Sequence, residues 1–244
     1  MIQVSNIEVW GLEHAIRGMR NPKNSWDKSD TELGCDDCGI CSDCGFRPDY
    51  CGHTPRYVLG AKDSELAHKL YENGPVHRTY ARLIKVSMDI VAPLYWWKEM
   101  DRYCVGKDQV SCSTMHTIAQ RKFTLEDFST EHLLNDETYC YECTITDYDN
   151  NLCNINSMDL MQMLIQILNC YRDKYLETKD KKYWWQLIQL LPSSYNQRRT
   201  ICMSYENVFE IIRWRKNHKL DEWVDFVNIL GDLPEIDKIT NDEE

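Results

Sequence analysis

In the segment RLIKVSMDIV, residues 82–91, Ile84, Val86, Met88 and Ile90 take every second position. That period puts all four on one face of a β-strand, and a strand with a wholly apolar face has to be covered by other elements. IQVSNIEVW at 2–10 alternates in the same way and is read as a second strand packed on a core. The carboxyl-terminal half follows a different period. After Ser157, the residues Leu160, Met163, Leu164, Ile167, Leu168 and Tyr171 recur three and four apart, which predicts a core-facing helix. Further helices are predicted from Asp180 toward Leu191, stopped by Pro192, from Ser204 to Arg215, and from Leu220 to Leu230. SELAHKLYENG at 64–74 reads as a short helix with Ser64 as N-cap and Gly74 closing it. The pattern predicts an α/β class in the α+β sense: a central sheet and a mostly helical carboxyl-terminal half.

With 244 residues, 43% of them hydrophobic, the chain can bury a full core, and one domain over 1–235 is expected. The tail 236–244, IDKITNDEE, has no core signal and is expected to be frayed and disordered. A net charge of −11 with no basic run argues against nucleic acid as a partner, though a few arginines could still hold a small anion. MIQVSNIEVW lacks a basic stretch followed by an apolar one, so no signal peptide is expected and the protein is placed in the cytoplasm. The most apolar long segment, MDLMQMLIQILNCY at 158–171, is interrupted by Asp159, Gln162, Gln166 and Asn169, so no membrane span is predicted.

Residues 33–60 are rich in Gly, Asp and Cys without periodicity and read as a long insertion. Within it CDDCGICSDC brings Cys35, Cys38, Cys41 and Cys44 to every third position, with Cys51 and His53 behind them. In a reducing compartment such cysteines are thiols or metal ligands. The expectation is one structural zinc held by part of this set, with Cys140 and Cys143 as a possible completing pair, stapling a segment too poor in apolar residues to order itself. An iron–sulfur cluster and metal-free cysteines are the alternatives. Cys104, Cys112, Cys170 and Cys202 are read as small buried hydrophobes, Cys112 less firmly because it sits between two serines. Trp96 and Trp97 are read as filling for a core or an interface, and a stacking platform is the alternative.

Two blocks carry a family resemblance. In LLPSSYNQRRTICMSYENVFEIIRWRKNHKLDEW, 190–223, a helix ends in Leu191-Pro192 and a later helix carries Arg213 and Arg215. In APLYWWKEMDRYCVGKDQVSCST, 92–114, Arg102 is followed ten positions later by Cys112. The order and spacing resemble flavin-dependent thymidylate synthases. Their Leu-Pro fits Leu191-Pro192, and their nucleotide-binding arginine falls on Arg215 without a gap. Their Ala-Gln-Trp-Glu element falls near Leu220, Asp221, Glu222 and Trp223 with one extra residue. Their signature, Gln then Arg-His-Arg-x7-Ser, meets Glu99, Arg102, Tyr103, Cys104 and Cys112, so Arg102 alone is kept, with Ser111 and Ser113 flanking the last position. Gly74 fits their Gly-His-x-Ser segment, with Pro75 at its His and His77 at its Ser.

The resemblance spans roughly 64–230 and leaves the cysteine cluster out. It implies a homotetramer in which FAD and dUMP bind where subunits meet, and a methyl group built on uracil C5 from methylene-tetrahydrofolate and a flavin hydride, with NADPH as reductant. It assigns Arg102, His77 and Glu99 to the cofactor, Arg215, Arg198, Ser111 and Ser113 to the substrate, and the catalytic role to Arg215. The chemistry has its own demands: phosphates call for guanidinium forks, with Arg102, Arg198, Arg199, Arg213 and Arg215 as candidates. A donor aimed at the uracil carbonyls as charge builds there lowers the barrier by about 3 kcal/mol. Arg213 and Arg215 are two apart on a helix, so only one of them can face a given pocket. A solvated helix face is the alternative for each arginine, and a core or surface histidine for His77. The rival functions are an altered modification at nucleotide C5 and a non-catalytic, metal-stapled nucleotide-binding protein.

Overall fold

The computed structural model describes residues 2–35, 39–40, 56–135, 144–146 and 152–241. In chain order these form β1 (Gln3–Trp10), α1 (Leu12–Met19), β2 (Glu32–Cys35), β3 (Gly39–Ile40), β4 (Arg56–Val58), α2 (Ala61–Glu72), β5 (Lys85–Pro93), α3 (Leu94–Met100), β6 (Lys107–Ser111) and α4 (Thr114–Thr117). They continue with β7 (Thr144–Thr146), β8 (Leu152–Asn154), α5 (Ser157–Thr178), α6 (Lys181–Leu190), β9 (Asn196–Ser204), α7 (Tyr205–Arg215), α8 (Asp221–Gly231) and α9 (Ile236–Thr240). The main sheet has the order β1-β5-β9-β6. A smaller sheet, β3-β2-β4, is antiparallel, with Leu33 opposite Tyr57, and β7 pairs antiparallel with β8. Mixed helix and sheet is the class that the two periodicities predict. No helix among the described residues is long and apolar enough to cross a membrane.

The chain forms two compact units. The first comprises the described residues of Met1–Gln3, Ile90–Arg102 and Val110–Arg199. Here α3 follows β5 at Pro93 and buries Trp96, Trp97 and Met100 completely. The two indoles meet edge to face, and the Trp97 Nε1–H donates to the Gln197 carbonyl at 2.9 Å. They are core, and offer no surface to a partner. A second cluster forms where α5 and α6 pack over Ile118, Phe123 and Phe128. α5 starts at a capping box between Asn156 and Asp159, and Asp180 caps α6 through the Lys182 N–H. The face of α5 that enters the core carries Met161, Ile165 and Leu168, while Leu160, Met163 and Ile167 are exposed. Both rows are apolar, so spacing alone could not tell which faces inward.

The second unit comprises the described residues of Val4–Asp89, Tyr103–Gln109 and Thr200–Glu244. Val86 and Met88 of its β5, and Ile84 just before the strand, are buried as the alternation demands. β1 forms where expected yet stays open, with Ile7 42% and Trp10 47% exposed, so its alternation does not seat it on a core. α2 begins one turn before Ser64 because Asp63 belongs inside. Its carboxylate accepts the Arg20 Nε–H at 2.5 Å and the hydroxyls of Ser29 and Thr31 at 2.6 and 2.7 Å. Gly60, the cap of α2, lies so close to Asp30 that a Cβ would sit 2.1 Å from the Asp30 carbonyl oxygen.

The segment read as an insertion is anchored at both ends. β2 pairs with β4 and Leu59 is buried, so its last residues belong to the body of the unit, while 36–38 and 41–55 lie outside the described residues. The tail expected to fray instead forms α9, with Ile236 and Ile239 buried and the Ile239 carbonyl 3.0 Å from His68 Nδ1. Residues 242–244 lie outside the described residues.

Candidate functional site

In the first unit, past the end of β6, the Cys112 N–H donates to the Arg198 carbonyl at 2.9 Å. The Gln197 amide reaches back to the Cys112 carbonyl at 3.0 Å and the Thr114 hydroxyl at 3.2 Å. The backbone is thereby pinned to β9, and Cys112 faces a cleft of about 410 Å³ that Tyr195, Asn196 and Arg198 also line. Neither Ser111 nor Ser113 joins the lining, so the thiol between them is the group that reaches the cleft. The far wall is the loop that carries Arg121 and Lys122, closed by Asp127. Three cations face one carboxylate there, a local positive excess in a chain of net charge −11.

The loop is held at several points. Phe123 donates its N–H to the Asn169 side chain at 2.8 Å and accepts the amide in return at 3.0 Å. Arg172 donates to the Gln120 carbonyl at 3.3 Å. Asp127 is buried and takes Arg121 through both terminal nitrogens, Nη1 at 3.0 Å, while closing a capping box with Thr124. Arg198 is exposed and has no ion-pair partner among the described residues. The Tyr195 phenol is pushed up from its ordinary value by burial and by the Asp127 charge, so at neutral pH it is a hydroxyl that can donate. The cleft thus offers a fork, two further cations, a phenol and an amide, a donor set suited to an anion attached to a polar ring.

The other expected site residues lie elsewhere. In the first unit Glu99 and Arg102 pair with each other at 3.1 Å on the end of α3, with the Arg102 side chain 71% exposed. Arg199 stacks on Trp97 at 4.3 Å and pairs with Asp101 at 2.8 Å, which makes it a brace for the core. In the second unit Arg215 donates from Nε to the Tyr103 hydroxyl at 2.9 Å and stacks 4.6 Å over Trp223. Arg213 points away to a separate cleft with Arg78 and Lys216, as two positions on a helix require. His77 is exposed, and the residue after it, Arg78, is buried against Glu206 and Glu210.

Sequence reading missed Arg121, Lys122, Asp127 and Tyr195. The Thr124-x-x-Asp127 spacing was the available signal for a capping turn beside Arg121. Nothing local marked Arg78. The cysteine reading also needs correction: Cys104 and Cys112 on loops and Cys170 on α5 are exposed, and Cys202 on β9 is half-buried. Among the described residues no group of three or more His, Cys, Asp or Glu is arranged to hold a metal. Cys38, Cys41, Cys44, Cys51, His53, Cys140 and Cys143 lie outside the described residues, as does the Cys35 side chain.

No family model matches the sequence, and no curated protein does. Solved structures do match in fold. The crystal structure of thymidylate synthase X (ThyX) from Helicobacter pylori with FAD and dUMP aligns at a TM-score of 0.60 and 18% identity, covering 99% of this chain and 98% of that one. A second structure of the Helicobacter pylori flavin-dependent enzyme, complexed with FAD and dUMP, aligns at 0.59 and 17%, covering 98% of both chains. The chain therefore has a ThyX-like fold.

Proposed function

We propose that the protein is a flavin-dependent enzyme that methylates C5 of dUMP, taking the carbon from methylene-tetrahydrofolate and reducing equivalents from NADPH. The observation that carries this reading is the cationic cleft beside β6 and β9, set in a fold shared with enzymes solved with FAD and dUMP. An acidic chain that gathers Arg121, Lys122 and Arg198 around one cleft is built to take an anion, and a nucleotide phosphate meets that demand.

FAD needs donors for its pyrophosphate and partners for its polar ring edge. In the first unit the exposed Arg102 guanidinium pairs with Glu99 alone among the described residues and keeps further N–H donors, and in the second unit the exposed His77 ring is a hydrogen-bonding group. Each residue, in its own unit, supplies a donor of the type that the group requires. When bound and reduced, FAD supplies a hydride. The chain's own contribution is to bind and orient: the cations fix the phosphate, and the Tyr195 hydroxyl and Asn196 amide meet a polar ring. Separately, in the second unit, Arg215 is the proposed donor to the carbonyls of a uracil ring, with Tyr103 and Trp223 fixing its fork. A homotetramer is part of this reading, and the exposed row Leu160, Met163 and Ile167 on α5 offers apolar surface for it.

One observation favours a second reading. Tyr103 and Cys104 stand where the signature has His and Arg, and the Tyr103 hydroxyl is engaged by Arg215. A nucleotide-binding protein without methyl transfer would tolerate that arrangement. Reconstitution separates the two. A yellow protein with a flavin spectrum that changes on dUMP addition supports the enzyme, and a protein that takes up no FAD contradicts it.

A further inference from the structure

We infer that Arg121 is the phosphate-recognising residue of the cleft and that Asp127 is its positioning residue, a deepening that rests on reading the cleft as a uracil-nucleotide site. Neither residue belongs to the signature block or to the arginine-bearing helix that carries the family resemblance. A guanidinium has five N–H donors, and the end-on pair with Asp127 takes two, leaving three for a ligand. The side chain remains 70% exposed although its carboxylate partner is buried, so the pair holds the fork at the cleft without hiding it. Asp127 is itself fixed by the Thr124 N–H at 2.8 Å. The two hydrogen bonds between Phe123 and Asn169 clamp the loop two residues further on. A long side chain normally loses rotamer freedom when it binds an anion, and here much of that ordering is already in place.

Lys122 and Arg198 line the same cleft as less constrained charges. Among the described residues Lys122 pairs only with the exposed Asp173, at 3.9 Å. They add attraction, whereas Arg121 adds direction. A fixed fork beside mobile cations suits the tetrahedral oxygens of a phosphate monoester better than it suits an uncharged ring.

The test compares two ligands that differ by the phosphate alone. Calorimetry on FAD-reconstituted full-length protein gives the ratio of deoxyuridine to dUMP dissociation constants. Arg121→Gln should shrink that ratio by about tenfold or more, and Asp127→Asn by roughly threefold to tenfold, since the charge stays while its orientation is lost. Thr124→Ala removes the capping hydroxyl but leaves the ion pair, so it should lower stability without moving the ratio. Asp127→Glu, which can re-form the pair, should recover part of what Asp127→Asn loses. A ratio unchanged in Arg121→Gln, or a loss falling equally on both ligands, overturns the assignment while leaving the cleft a nucleotide site. Wild-type protein that binds neither ligand overturns the functional reading itself.

Discussion

The guanidinium carbon of Arg215 lies 4.6 Å over the Trp223 ring and 5.5 Å from the centre of Tyr103, with Nε donating to the Tyr103 hydroxyl. Tyr103 and Trp223 thus help to hold the arginine that the family resemblance singles out. Truncation removes packing as well as charge, so Arg215→Ala should cost the fold about 2 kcal/mol while weakening dUMP binding. Tyr103→Phe, which deletes one hydroxyl, should cost about 1 kcal/mol. Urea unfolding reads both, and wild-type midpoints in both variants would show that the clamp contributes nothing.

Asp63 makes a sharper prediction. Burial raises its pKa, but hydrogen bonds from Ser29, Thr31 and Arg20 outweigh burial and hold the carboxyl below its ordinary 3.8. A depressed folded-state pKa gives stability that is present above the unfolded value and lost as pH falls through the folded one. Asp63→Asn strands the buried Arg20 and should destabilise by about 3–5 kcal/mol at neutral pH. The gap between variant and wild type should narrow as pH drops below 3.8. A gap that stays constant from neutral to acid pH would remove the ion pair from the account.

α9 is a structural element, and its removal should be felt. Ile239 is fully buried, so Ile239→Ala should cost about 2–4 kcal/mol. Asp237 is exposed on the same helix, and Asp237→Ala should cost far less. Equal unfolding midpoints for Ile239→Ala and wild type would mean that the helix is not docked in solution.

Legibility followed the range of the interactions. β5, α6, α7 and α8 were readable because their signals are local: a period, a cap, a proline. α9 was not, because a five-residue helix has no usable period and its anchors, His68 and Leu59, lie far back in the chain. The first turn of α2 was missed for a related reason, since Asp63 looks like a surface residue until Arg20, Ser29 and Thr31 converge on it. At the cleft, Arg198 was found from its block, but Arg121 and Asp127 become a unit only when the loop folds back over Tyr195. The serines beside Cys112 were chosen by residue type, and it is the Cys112 side chain that lines the cleft.

The central claim, methyl transfer to uracil C5, is tested most directly by mass spectrometry of the nucleotide. Protein loaded with FAD is incubated with dUMP, NADPH and isotopically labelled methylene-tetrahydrofolate, and the nucleotide is recovered. The account predicts dTMP carrying the labelled carbon, formed only when dUMP, FAD and reductant are all present, and reduced in Arg215→Ala and Arg121→Gln. Unmodified dUMP recovered from protein that holds both FAD and the nucleotide would contradict it.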